Sequence, residues 1–142
     1  MNYRELKEKH QAEVNAFPLG AAFSDKQFTE MMAKWGLTKD DTDKIYRIGG
    51  GCYIRRTDRT AFNEMFNRHE RERNEATEAD PTGEGYIYQM FAYELSNHEY
   101  DYTRRFDETF DALDLTYEQI VNDKKLRRGL NKALKKYGTR RI

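Results

Sequence analysis

The stretch Gly85–Glu99, GYIYQMFAYELSNHE, decides the fold. Ile87, Met90, Phe91, Leu95 and His98 recur at helical spacing and make one stripe, while Tyr86, Tyr93 and Tyr100 recur every seven residues on another. A helix apolar on two faces is expected to be buried on both. Downstream, Thr103 can cap a helix with Phe106, Phe110 and Leu113 inward, and Thr116 with Gln119 opens a short one at Ile120–Val121. Asp123 opens the last helix, whose Leu126, Leu130, Ala133, Leu134 and Tyr137 precede Gly138.

Upstream of the same stretch, Asp80-Pro81-Thr82-Gly83 is turn chemistry and reads as the one mobile loop. Before it, Asp58 can cap a long helix reaching about Ala79, with Phe62, Met65, Phe66 and His69 on one face. Its polar second half, Arg68 to Glu78, is expected to project into water. Ile45–Ile48 and Cys52–Arg55 flank three glycines, Gly49 to Gly51, and predict a small hairpin. Ser24 and Gln27 form a capping-box pattern ahead of Phe28, Met31, Met32 and Trp35, with Gly36 suited to a left-handed C-terminal cap. Thr38 with Asp41 repeats that logic for about one turn. Tyr3, Leu6, His10, Val14 and Phe17 define a first helix that ends at Pro18-Leu19-Gly20. The sum is a mainly α (α+β) fold: one compact helical domain over residues 1–142, about six or seven helices, and one small β-hairpin near 45–55.

A chain of 142 residues and 17.0 kDa fits one ordinary domain. A mean hydropathy of −1.06 is polar, yet ten Tyr, eight Phe and one Trp argue against disorder. No apolar run approaches a membrane span, and an N-terminus carrying Glu5, Lys7, Glu8 and Lys9 has no signal-peptide core, so a soluble cytoplasmic protein is expected. Cys52 alone closes no intramolecular disulfide, and no Cys/His cluster has zinc spacing, so neither a metal nor a cofactor is implied.

The net charge of zero hides a segregation. Residues 82–123 carry 10 acids against 2 bases, and residues 124–142 carry 9 bases and no acid. Such asymmetry bears on partners and association, not on fold. Along the first segment Glu99, Asp101, Asp107, Glu108, Asp111 and Asp114 crowd together, with Tyr100 and Tyr102 among them. Asp107 and Glu108 lie four and three residues before Asp111, opposite Phe106 and Phe110, and would display regular negative charge outward. That surface can imitate a phosphate backbone and occupy a basic channel, with Tyr100 or Tyr102 as an aromatic anchor. In the second segment Lys124, Lys125, Arg127, Arg128, Lys132, Lys135, Lys136, Arg140 and Arg141 surround an apolar stripe of leucines. This is the layout of a docked helix with a basic face for phosphate backbones or for an acidic protein. The plainer alternative is that the two segments neutralise each other inside one fold.

Signals for catalysis are thin. Glu94 and His98 stand four apart on one helix and could share a proton or a metal, but a histidine on an apolar stripe more often serves as a hydrogen-bonded core group. Gly49 to Gly51 lacks the spacing of a phosphate-binding loop, although Arg55, Arg56 and Arg59 just beyond can supply a local anion site. Cys52 beside no evident base reads as a packed thiol.

Three stretches carry a resemblance: Ile45–Gly51 (IYRIGGG), Thr82–Tyr100 (TGEGYIYQMFAYELSNHEY) and Leu113–Ile120 (LDLTYEQI), together with the Asn2-Tyr3 opening. They are similar to a group of short bacterial proteins of unknown function found on mobile elements. The resemblance brings no catalytic motif. It implies the setting of small phage and mobile-element inhibitors of bacterial defence nucleases, anti-CRISPR proteins among them. The expected function is therefore non-enzymatic binding of a protein partner, a bacterial nuclease or its nucleic-acid complex. The alternative is a nucleic-acid-binding accessory protein that uses the basic C-terminal helix. A homodimer is compatible with either.

Overall fold

The computed structural model describes residues 1–138 and 141–142. Among them are eight α-helices and one small antiparallel sheet, in the order α1 (Tyr3–Ala16), β1 (Gly20–Ala21), α2 (Asp25–Lys34), β2 (Ile45–Gly49), β3 (Cys52–Arg55), α3 (Arg59–Ala79), α4 (Tyr86–Asn97), α5 (Tyr100–Thr103), α6 (Asp107–Ala112), α7 (Tyr117–Val121) and α8 (Lys124–Leu134). Short 3-10 turns cover Thr42–Lys44, Arg56–Asp58 and Lys135–Tyr137. The mainly helical α+β reading holds. The chain forms two compact units, one of Met1–Gln11 with Arg71–Ile142 and the other of Ala12–Glu70.

In the first unit, α4 is the buried element that Gly85–Glu99 predicts. Ile87, Phe91 and Leu95 are fully buried on it, and they pack with Tyr3 and Leu6 of α1, Phe110 of α6, Ile120 of α7, and Leu126, Leu130, Ala133 and Leu134 of α8. The close approach of α8 to α4 depends on Gly129: a Cβ there would stand 2.6 Å from the Gly83 carbonyl oxygen and 2.6 Å from Ile87 Cγ2. Caps fix the ends of the short helices. Thr116 and Gln119 form the expected reciprocal box on α7, and the Asp123 carboxylate accepts the Lys125 and Leu126 amides at 2.9 and 3.0 Å to start α8.

Two expectations for this unit are corrected. The helix expected from Thr103 breaks into α5 and α6, because Arg104 adopts a left-handed φ of 54° and the Thr103 hydroxyl accepts the Arg105 amide instead of capping a longer helix. The polar second half of α3 does not simply project into water. Ala76 packs on the core, and Lys125 Nζ donates to the carbonyls of Thr77, Glu78 and Asp80 at 3.4, 3.4 and 2.8 Å, satisfying groups that a helix end leaves open.

In the second unit the hairpin is present, with Ile45 opposite Arg55, Tyr46 opposite Ile54 and Arg47 opposite Tyr53, and Ile48 is bulged out before Gly49 meets Cys52. Gly49, Gly50 and Gly51 all take positive φ, which is what three glycines at a tight turn provide. A strand absent from the sequence reading, β1, pairs Gly20 with Tyr53 and Ala21 with Cys52, so the sheet order is β1-β3-β2. A small core of Ala22, Met31 and Met32 with Phe28, Trp35 and Tyr53 lies against it. Ser24 accepts the Gln27 amide at the start of α2, and Gly36 follows with the expected left-handed φ. Asp58 holds the Arg55 guanidinium at 2.8 Å, a pairing within the turn that the capping expectation did not include.

Candidate functional site

The acidic segment follows α4 directly. Three non-glycine residues in it are left-handed, Glu99 (φ 56°), Arg104 (φ 54°) and Asp114 (φ 53°), a conformation that costs residues with a Cβ about 1 kcal/mol or more. The first two bracket α5 and turn it so that Tyr100 and Tyr102 separate. Tyr100 is buried, stacked on Phe106 with ring centroids 5.2 Å apart and edge-on to Tyr137 at 5.0 Å. The expectation that it could anchor a partner is therefore corrected: its ring is core. Tyr102 is 86% exposed.

Around Tyr102 in sequence, Glu99, Asp101, Asp107, Glu108, Asp111 and Asp114 are all exposed. Arg105 pairs with Asp107 at 2.8 Å and Arg104 approaches Asp101 at 3.7 Å, while Arg104 also donates to the Tyr137 carbonyl at 2.7 Å. Asp107 and Glu108 sit in the first turn of α6, where the helix dipole favours them. That position accounts for two of the acids and leaves Glu99, Asp101, Asp111 and Asp114 to other causes.

On α8 the leucine stripe is buried as expected, and Lys124, Arg128, Lys135, Lys136 and Arg141 are exposed. Arg140 lies outside the described residues. The remaining cations are held, but not by acids. Lys125 is on the carbonyls at the end of α3, Arg127 on the Val121 carbonyl at 3.4 Å, and Lys132 on the Glu84 carbonyl at 3.4 Å and over the Tyr88 ring at 4.4 Å. Lys136 lies 5.0 Å from the Tyr137 ring centroid. Among the described residues no ion pair joins a cation of this segment to a carboxylate.

Glu94 and His98 do meet, at 3.3 Å, but Glu94 is buried and already accepts from the Tyr3 hydroxyl at 3.0 Å and Lys7 Nζ at 2.9 Å. His98 Nδ1 lies 3.6 Å from the exposed Glu108. The open groove in this unit, about 590 Å³, is lined by Leu6, Glu75, Ala76, Ala79, Pro81 and Tyr86 among others and includes neither Glu94 nor His98. Among the described residues no three His, Cys, Asp or Glu side chains are placed to hold a metal ion.

The sequence reading missed Asp80. Its side chain is buried, and its two oxygens accept the amides of Thr82, Gly83, Gly85 and Ile87 at 3.1, 2.9, 3.1 and 3.0 Å. The loop taken for a mobile one is thus tied down at its centre. Burial pushes the carboxyl up, and the four amide donors outweigh it and hold it below the usual range.

A family model, "Family of unknown function (DUF7659)", matches residues 2–136. The chain belongs to that family. DUF7659 spans both units, so the acidic segment and all of α8 are part of what its model describes. No curated protein and no solved structure matches the chain. Among the described residues no helix is long and apolar enough to cross a membrane.

Proposed function

We propose that this DUF7659 protein acts by binding a macromolecule through its polarised surface, with the acidic segment seated in a basic groove of a nucleic-acid-handling protein and Tyr102 at the centre of the contact. One observation carries this reading. An aromatic ring 86% exposed lies, in sequence, among exposed carboxylates, of which Asp101 and Asp107 are paired with Arg104 and Arg105, on a helical turn bracketed by two left-handed residues that are not glycine. Backbone strain kept on a surface asks for a purpose, and a rigid ring ringed by charge suits an interface centre. The carboxylates supply steering toward a basic partner, and the ring supplies apolar area on contact.

The resemblance to mobile-element proteins favours a bacterial defence nuclease as the partner. Titration of the purified protein into a purified CRISPR nuclease, with and without guide RNA, tests it. Binding that competes with nucleic acid, and that weakens in Tyr102→Ala, is expected. No binding and unchanged cleavage would contradict it.

A second reading rests on Lys124. It is the first residue of α8, an exposed cation at the positive end of the helix dipole, where it costs stability. With Arg128 one turn on and Lys135 in the 3-10 turn that follows, it gives three exposed cations available to phosphate oxygens. This reading expects DNA or RNA binding that falls with salt and disappears when Lys124, Arg128 and Lys135 become alanine. Binding unchanged in that variant would dismiss it.

A further inference from the structure

The unit Ala12–Glu70 carries a cationic arrangement independent of the surface just described. Tyr46 lies on β2, Arg56 in the 3-10 turn after β3, and Arg59 at the start of α3. Arg56 Nε donates to the Tyr46 phenol oxygen at 3.0 Å, and a terminal N–H of Arg59 donates to the same oxygen at 3.1 Å. Both guanidiniums lie against the ring, with their carbons 5.2 and 4.8 Å from its centroid. Two full positive charges are therefore gathered on one uncharged oxygen.

The nearby acids do not offset them. Asp58 is taken by Arg55 at 2.8 Å and Asp41 by Lys44 at 3.5 Å, while Asp43 offers Arg56 its backbone carbonyl at 2.8 Å. Among the described residues no ion pair joins Arg56 or Arg59 to a carboxylate. The first turn of α3 holds no acid either, so the positive end of that helix adds to the repulsion. Three N–H groups of the pair are engaged, each guanidinium carries five, and both residues are exposed, so most of the donors have no partner among the described residues. The Arg59 and Arg56 donors also hold the Tyr46 phenol below its usual range, a sign of the positive field at that point.

We propose that Arg56 and Arg59 form a clamp for the oxygens of a phosphate monoester, with Tyr46 holding the two guanidiniums at a fixed spacing. The planar forks match tetrahedral oxyanion geometry, and an anion carrying two negative charges relieves the repulsion that the protein leaves in place. Tyr46 acts as a positioning residue, through its ring as well as its hydroxyl.

The test titrates the full chain with inorganic phosphate against chloride at equal ionic strength, following arginine Nε–H signals by NMR. Saturable shifts at Arg56 and Arg59 are expected, and Arg56→Gln or Arg59→Gln should weaken phosphate about tenfold, the loss of one charge-assisted contact. Tyr46→Phe keeps the stacking and should still bind. Arg59→Lys keeps a charge and controls for folding; it should bind more weakly than the parent and more tightly than Arg59→Gln. Shifts no larger than those from chloride, or full affinity in both glutamine variants, would overturn the clamp. A 5′-phosphorylated dinucleotide compared with inorganic phosphate separates the sources. Tighter binding of the dinucleotide assigns the site to a nucleic-acid end, equal binding shows that the clamp reads the phosphate group alone, and weaker binding of the dinucleotide would overturn a monoester site.

Discussion

The Tyr3 hydroxyl donates to the buried Glu94 carboxylate at 3.0 Å, tying the first turn of α1 to the third turn of α4. Burial and the Glu94 charge push the phenol of Tyr3 well above its ordinary value of 10.0. A raised folded-state value means that the stability it contributes is whole below pH 10 and is lost as pH climbs past that point. Tyr3→Phe should cost about 1–3 kcal/mol at neutral pH, because Glu94 loses a donor. Urea unfolding checks the cost, and absorbance at 295 nm checks that one late-titrating phenol has gone.

Asp80 works in the opposite sense. Its folded-state value lies below the ordinary 3.8, so its contribution is present above that pH and is lost as pH falls through the folded value. Asp80→Asn replaces one acceptor oxygen by a donor facing amides, and about 2–3 kcal/mol should be lost at pH 7. The loss should shrink toward acid, which thermal melts at pH 7 and pH 3 would show.

Gly129 is held to glycine by its neighbours. An added methyl would meet the Gly83 carbonyl oxygen and Ile87 at 2.6 Å, against a helix-propensity gain of only about 1 kcal/mol for alanine. Gly129→Ala should therefore destabilise by about 1–3 kcal/mol, as overpacking does, read from the midpoint of urea unfolding.

Tyr100 and Tyr102 make a paired test. Tyr100→Ala empties a stacked core position and should cost about 3–5 kcal/mol, whereas Tyr102→Ala should fall within about 0.5 kcal/mol of the parent. The second variant should unfold normally yet bind a basic-groove partner more weakly, in calorimetry of both properties on one preparation.

Helices with long apolar stripes and side-chain caps were legible in the sequence, because both signals are local. The α4 and α8 stripes and the Thr116–Gln119 box are cases of it. What escaped reading depends on partners distant in sequence. β1 is only Gly20–Ala21 and exists through pairing with Cys52 and Tyr53. The end of α3 is held by Lys125, 45 residues beyond Asp80. The break between α5 and α6 turns on a left-handed arginine that no propensity announces. At the acidic segment, Tyr100 lies beyond the end of α4 and the left-handed Glu99, and it is buried by packing on Phe106 and on Tyr137, 37 residues away, which neither the α4 periodicity nor the local charge announces.

The thermal midpoint of the full chain between about 0.02 and 0.5 M sodium chloride measures whether opposite charges stay apart, since this range takes the screening length from well above to well below the spacing of surface charges. Separated patches of like charge gain from screening, so the midpoint should rise with salt. A midpoint that falls would mean that the basic helix and the acidic segment neutralise each other, and the binding surface would not exist.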